Sequence, residues 1–168
     1  DEDDAGPMIS APPMPNGAVR TREDAPQAEE QNPYVTWFGG IQGLQEKVFD
    51  QKTTGVLFLS APFCRTCRYL KPQYQRLAKL SSQQHEDFTF LQADAAGKIG
   101  KDLGRRLGVD AVPAFLLFDK GRMYGKPMNI SKLPSKKLEL AIQYLEQGKP
   151  WDENVFADDK KETRNKRF

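Results

Sequence analysis

Cys64 and Cys67 are the only two cysteines in a chain of 168 residues, and two residues separate them. A thiolate, not a thiol, attacks a disulfide, so a redox cysteine must ionise near neutral pH and be reachable. The apolar run at residues 56–59 reads as a short buried strand, and the loop Ser60-Ala61-Pro62-Phe63 follows it. Cys64 then opens a predicted helix. A helix N-terminus presents unpaired N–H groups and partial positive charge, and both stabilise a thiolate. Arg65, Arg68 and Lys71 add formal positive charge within the next two turns. Cys67 falls one turn after Cys64 on the same helix face, where it can attack a mixed disulfide formed at Cys64. The spacing therefore supplies a nucleophile and a resolving thiol.

The competing reading of such a pair is half of a metal site. That reading needs about four ligands, and the chain has no second C-x-x-C. The single histidine, His85, lies near the far end of the predicted helix, and it reads as a surface residue of the turn before Phe88. The chemistry read here calls for neither a metal nor an organic cofactor. A disulfide framework is also disfavoured, because its bridges close longer loops.

The elements that must hold this pair follow from apolar spacing. Residues 34–38 read as an edge strand, ended by Gly39-Gly40. Ile41, Leu44, Val48 and Phe49 recur at helical spacing, which predicts a helix to about Gln51. Over residues 64–82, Leu70, Tyr74, Leu77 and Leu80 are expected on one face. Pro72 lies inside that helix, removes one hydrogen bond and should kink it. Residues 88–93 form the next strand. A short helix over residues 99–107 is weakened by Gly100 and Gly104. Residues 114–118 form a strand that turns at Lys120-Gly121 into a hairpin partner starting at Arg122. Leu138, Ala141, Ile142 and Leu145 mark a last amphipathic helix, stopped by Gly148 and Pro150. The order β-α-β-α-β-α-β-β-α predicts an α/β chain with a sheet covered on both faces.

Composition divides the chain into three parts. Residues 1–33 read as a Pro-rich acidic arm: the first 32 residues carry eight acids against two arginines. The prolines and small polar residues cannot bury enough surface to offset chain entropy. The arm is either a disordered leader or a segment that orders on a partner. Residues 34–148 hold nearly all the large apolar side chains and constitute the expected core domain. Residues 149–168 form a charged C-terminal tail with Lys160, Lys161, Lys166 and Arg167.

The net charge of +2 conceals a basic remainder of the chain. Its basic residues alternate with acids on solvated faces, so no nucleic-acid surface is expected. No apolar run approaches the roughly 18 residues of a transmembrane segment. The sequence opens on Asp1-Glu2-Asp3-Asp4 without a methionine or a secretory apolar core, and so reads as a processed or partial form.

At this point the chain resembles the thioredoxin-like family. Cys64-Arg65-Thr66-Cys67 takes the active-site place, Pro72 that of the kink proline, and Val112-Pro113 that of the X–Pro bond that is cis in the family. The run from Phe115 to Gly121 matches the strand and glycine turn that follow. The resemblance covers about residues 35–147. It is closer to the plant-type plastid proteins with a W-C-R-K-C active site, whose C-R-K-C-x-Y-L-K-P run is similar to the segment from Cys64 to Pro72.

The resemblance implies a thioredoxin fold, a central mixed sheet flanked by helices, and a plastid location. It implies a thiol–disulfide oxidoreductase that exchanges disulfides with protein substrates, with Cys64 and Cys67 catalytic. Phe63, Arg65, Thr66 and Pro72 would shape the site, and Val112 and Pro113 would bind substrate. A cis bond frees the Val112 backbone to pair with an extended substrate across the cysteines, with Phe63 and Val112 as the apolar rim of a shallow groove. The electron donor is not named by the sequence.

Three departures bear on this reading. Phe58 stands where typical thioredoxins bury an aspartate that helps to deprotonate the second cysteine. Phe63 replaces the usual tryptophan. Arg65-Thr66 replaces Gly-Pro, and Arg65 should favour the thiolate and make the bond a better oxidant. The alternative function is a thioredoxin-fold structural or docking subunit of a larger protein assembly, anchored by residues 1–33 and 149–168.

Overall fold

The computed structural model describes residues 32–157 and the backbone of residues 166–167. Almost all of the predicted N-terminal arm, residues 1–31, lies outside the described residues, as do residues 158–165 and 168 of the tail.

A five-stranded mixed sheet carries the core. Its strands are β1 (Val35–Phe38), β2 (Gly55–Ser60), β3 (Thr89–Asp94), β5 (Ala114–Asp119) and β6 (Arg122–Met123), in the spatial order β1-β3-β2-β5-β6. A separate two-stranded ladder joins β4 (Ala111–Val112) to β7 (Lys166–Arg167). β1 and β2 flank β3 in parallel, and β5 runs antiparallel to β2, with Ala114 across from Leu59. All six residues of β2 are buried. That is why residues 56–59 show an apolar run rather than an alternation.

The helices are α1 (Gly40–Leu44), α2 (Arg65–Ser82), α3 (Gly97–Leu107), α4 (Ser135–Gln147) and α5 (Glu153–Phe156). The first helix is not continuous to Gln51. After Leu44 it widens into a π turn, Gln45–Phe49, closed by the Asp50 N–H donating to the Gln45 carbonyl at 2.8 Å. Thr53 then anchors the exit, its hydroxyl on the Lys47 carbonyl and its N–H on the Val48 carbonyl. Leu44 and Val48 are fully buried, whereas Ile41, expected on the same face, is 37% exposed.

In α2 the buried stripe is Cys67, Leu70, Tyr74, Ala78 and Ser81. Leu80, expected on that face, is 60% exposed. It precedes Ser81 by one residue, about 100° around the helix. Tyr74 is the centre of the contact with the sheet. Its ring lies 5.0 Å from Phe58, 5.3 Å from Phe90 and 6.1 Å from Phe115. Its hydroxyl reaches the Leu91 carbonyl at 2.7 Å and the Val56 carbonyl at 3.1 Å. α2 thus covers the sheet face that carries Phe58, Phe90 and Phe115. α1 and α3 pack against each other.

Two glycines have specific structural reasons. Gly100 is buried in α3, and a Cβ there would press into the backbone of Asp94 and Ala95. The residue that lowers helix propensity thereby lets α3 approach the end of β3. Lys120 and Gly121, with φ of 51° and 85°, form the tight turn between β5 and β6, the backbone shape favoured in two-residue hairpin loops.

The core extends past Gly148, where the large apolar residues were expected to end. Phe156 in α5 is fully buried. Its ring lies 5.3 Å from Tyr144, 6.1 Å from Trp151 and 6.4 Å from Tyr124. Asp152 caps this short helix by accepting from the Asn154 N–H at 2.9 Å. His85 is half-buried in its turn and reaches Glu146 of α4 at 3.1 Å.

Candidate functional site

The chain leaves β2 at Ser60 and turns through Pro62 and Phe63, with the Cys64 N–H donating to the Ala61 carbonyl at 3.1 Å. Cys64 is the N-cap of α2, with extended backbone (φ −89°, ψ 106°). Its sulfur accepts the Cys67 N–H at 3.1 Å. In a serine- or aspartate-capped helix an oxygen does this; here the capping atom is the candidate nucleophile. Cys64 and Cys67 are joined in a disulfide, their Cα atoms 5.2 Å apart. The two residues are only 1% and 2% exposed.

The surface next to the pair is apolar and basic. Phe63 is 47% exposed and Tyr69 70% exposed. Arg65 and Arg68 are exposed. Arg68 is held back against the turn by donating to the Pro62 carbonyl at 2.6 Å, and Lys71 sits 5.5 Å over the Trp37 ring. Thr66 is half-buried between the cysteines. Pro72 lies inside α2 on its exposed side and lines a hollow of about 330 Å³ with Asn32, Pro33 and Tyr34. It belongs to the far side of the helix from the buried Cys67 stripe.

The second approach to the site comes from β4. Val112–Pro113 is a cis peptide. β5 starts at Ala114 opposite Leu59, near the end of β2. The residues just before Ala114 therefore lie at the same end of the sheet as the cysteine turn. Topology brings Val112 and Pro113 to the end of the sheet that carries Cys64, although 47 residues separate Cys64 from Val112. The Ala111 carbonyl accepts from Asn129 Nδ2 at 2.9 Å. The expected apolar rim is corrected in one respect. Phe63 is exposed, but the Val112 side chain is fully buried in the core. Val112 turns its side chain inward, and its backbone pairs with β7.

Two polar residues close to the site did not stand out in the sequence. Gln92 in β3 is fully buried, across the parallel ladder from Phe58. Its amide nitrogen is 3.5 Å from the Ser60 hydroxyl, and its oxygen has no hydrogen-bond partner. The available signal was a single amide inside the otherwise apolar strand at residues 88–93. The β4–β7 pairing was not visible, because two-residue strands carry no measurable period.

The thioredoxin family model matches residues 41–143. Human protein disulfide-isomerase A4 is 34% identical over 125 residues, which cover 74% of this chain and 18% of that protein. A thioredoxin domain-containing protein of Theileria parva is 34% identical over 90 residues, covering 48% of this chain and 39% of that one. The chain thus spans well under half the length of either relative. Among solved structures, the long form of spinach chloroplast thioredoxin f superposes with a TM-score of 0.54 at 25% identity, covering 67% of this chain and 86% of the other. Fold, cysteine turn and family model agree: the chain belongs to the thioredoxin family, and it carries a Cys64–Cys67 pair consistent with thiol–disulfide exchange.

Proposed function

We propose that this chain is a protein thiol–disulfide oxidoreductase, with Cys64 as the attacking and Cys67 as the resolving thiol. One observation carries the reading: the Cys64 sulfur caps α2 and is bonded to Cys67 one turn along the same helix. In the reduced protein, N–H donation and the helix dipole favour a thiolate at Cys64. That thiolate attacks one sulfur of a substrate disulfide, and the other substrate sulfur leaves as a thiolate. The Cys67 thiolate then attacks Cys64 Sγ. The Cys64–Cys67 disulfide forms, the second substrate thiol is released, and two electrons have passed from the pair to the substrate. Run in reverse, the same steps oxidise a substrate dithiol. A thiol donor must reduce the pair again.

Arg65 and Thr66 occupy the helix turn between the sulfurs, Phe63 supplies the exposed apolar contact, and Pro72 holds the outer side of α2. The Val112–Pro113 backbone is the edge on which an extended substrate segment pairs. Similarity to chloroplast thioredoxin f, with the run from Cys64 to Pro72, supports a plastid location. That location is tested by imaging a fluorescent fusion of the protein as its own gene encodes it.

The test of the activity is insulin-disulfide reduction by the purified chain, with dithiothreitol as donor, beside Cys64→Ser. Turnover that disappears in the variant establishes the dithiol as active. The second reading, a docking subunit, is favoured by Phe58, which leaves this sheet position without a carboxylate to assist Cys67. Equal and negligible turnover in both folded proteins would select it.

A further inference from the structure

We infer that the C-terminal strand β7 is a built-in competitor for the substrate-pairing edge, an inference that rests on the oxidoreductase reading above. β7 pairs antiparallel with β4, Ala111 opposite Arg167 and Val112 opposite Lys166. β4 lies outside the five-stranded sheet, and β7 is its strand partner in the separate ladder. The tail is therefore seated on the backbone of Val112, the residue that the proposed function assigns to substrate pairing.

Two properties fit a displaceable latch rather than a permanent strand. The ladder is two residues long, so few main-chain hydrogen bonds hold it, and a longer extended peptide can make more. The tether is short: eight residues join Ala157 to Lys166. A tether of that length gives an effective concentration on the order of millimolar, enough for weak pairing to be populated. The latch discriminates between substrates. An extended protein segment must displace β7, whereas a small disulfide that needs only the sulfur does not use the edge.

The test compares the full chain with two variants, deletion of residues 166–168 and Lys166→Pro, which removes a backbone donor and disfavours strand pairing. When only a fraction of molecules is free to bind, the apparent affinity falls by that fraction. KM for insulin is therefore expected to fall about two- to tenfold in both variants. kcat and the rate with lipoic acid, a small cyclic disulfide, stay the same. An unchanged KM for insulin in both variants, with Cys64→Ser inactive, overturns the latch and leaves the oxidoreductase reading intact. If the full chain reduces neither substrate, the oxidoreductase reading fails and backbone amide exchange at residues 110–112 decides the latch. Faster exchange in the deletion supports the pairing; equal exchange overturns it.

Discussion

Gln92 stands across the β2–β3 ladder from Phe58, fully buried, with its side-chain oxygen unpartnered. The pair places a polar amide against an aromatic cluster, and only the Ser60 hydroxyl, 3.5 Å away, answers it. A buried polar atom without a partner costs on the order of 1–3 kcal/mol. Gln92→Leu keeps the volume and removes that cost. Urea denaturation of the oxidised protein is expected to show a gain of about 1 kcal/mol. A loss of stability would mean that the amide is better satisfied than its geometry indicates.

Cys67→Ser removes the resolving thiol but keeps the attacking one. The mixed disulfide at Cys64 then has no internal route to release. Incubated with a protein disulfide, this variant is expected to accumulate a covalent adduct that dithiothreitol reverses, visible on non-reducing gels. The Cys64→Ser,Cys67→Ser double variant should form none. An adduct formed by Cys64→Ser and not by Cys67→Ser would reverse the assignment of the two roles, and equal yields would remove it.

The Arg65 side chain follows the Cys64 cap and is exposed. A positive charge there stabilises the thiolate, and with it the reduced form. The reduction potential of the pair is expected above the value of about −270 mV typical of thioredoxin. Arg65→Gly should lower it by on the order of 30 mV, which corresponds to about 1.4 kcal/mol for two electrons. Equilibration against glutathione buffers measures both. A wild-type value at or below that of thioredoxin would remove the argument from charge.

The cysteine turn was legible in the sequence because it joins two strong local signals. An apolar run too short for a helix stops before Ser60, and a helical apolar stripe begins at Leu70. The long strands and helices were legible for the same reason. Leu80 was misplaced because a stripe spaced three and four residues apart drifts around an 18-residue helix, so the last turn buries Ser81 instead. The π turn at Gln45–Phe49 leaves no signature in apolar spacing, since Leu44 and Val48 still fall four apart. α5 has four residues, too few for a period, and its single buried aromatic, Phe156, looked like part of a charged tail. Val112 could be placed beside the cysteines only through family resemblance, because the contact joins distant parts of the chain. Its pairing with Lys166 needed the three-dimensional structure.

Tyr74 gives the fold an alkaline limit. Burial raises its phenol pKa well above the usual value, and this outweighs the backbone hydrogen bonds that favour the phenolate. In the unfolded chain the group ionises near pH 10. The folded-state pKa is the higher of the two, so the folded state holds the proton where the unfolded state releases it. The stability tied to this group is full below about pH 10 and is lost progressively as pH rises toward the folded pKa. Tyr74→Phe keeps the ring contacts with Phe58 and Phe90 and loses the hydroxyl bond to the Leu91 carbonyl. It should cost about 1–2 kcal/mol at neutral pH. Above pH 10 its stability should fall less steeply with pH than that of the wild type. Tyr124, also raised by burial, is retained in both proteins and contributes equally to each curve. Urea midpoints measured from pH 7 to pH 11 test the point. Parallel curves for the two proteins would show that Tyr74 does not set the alkaline slope.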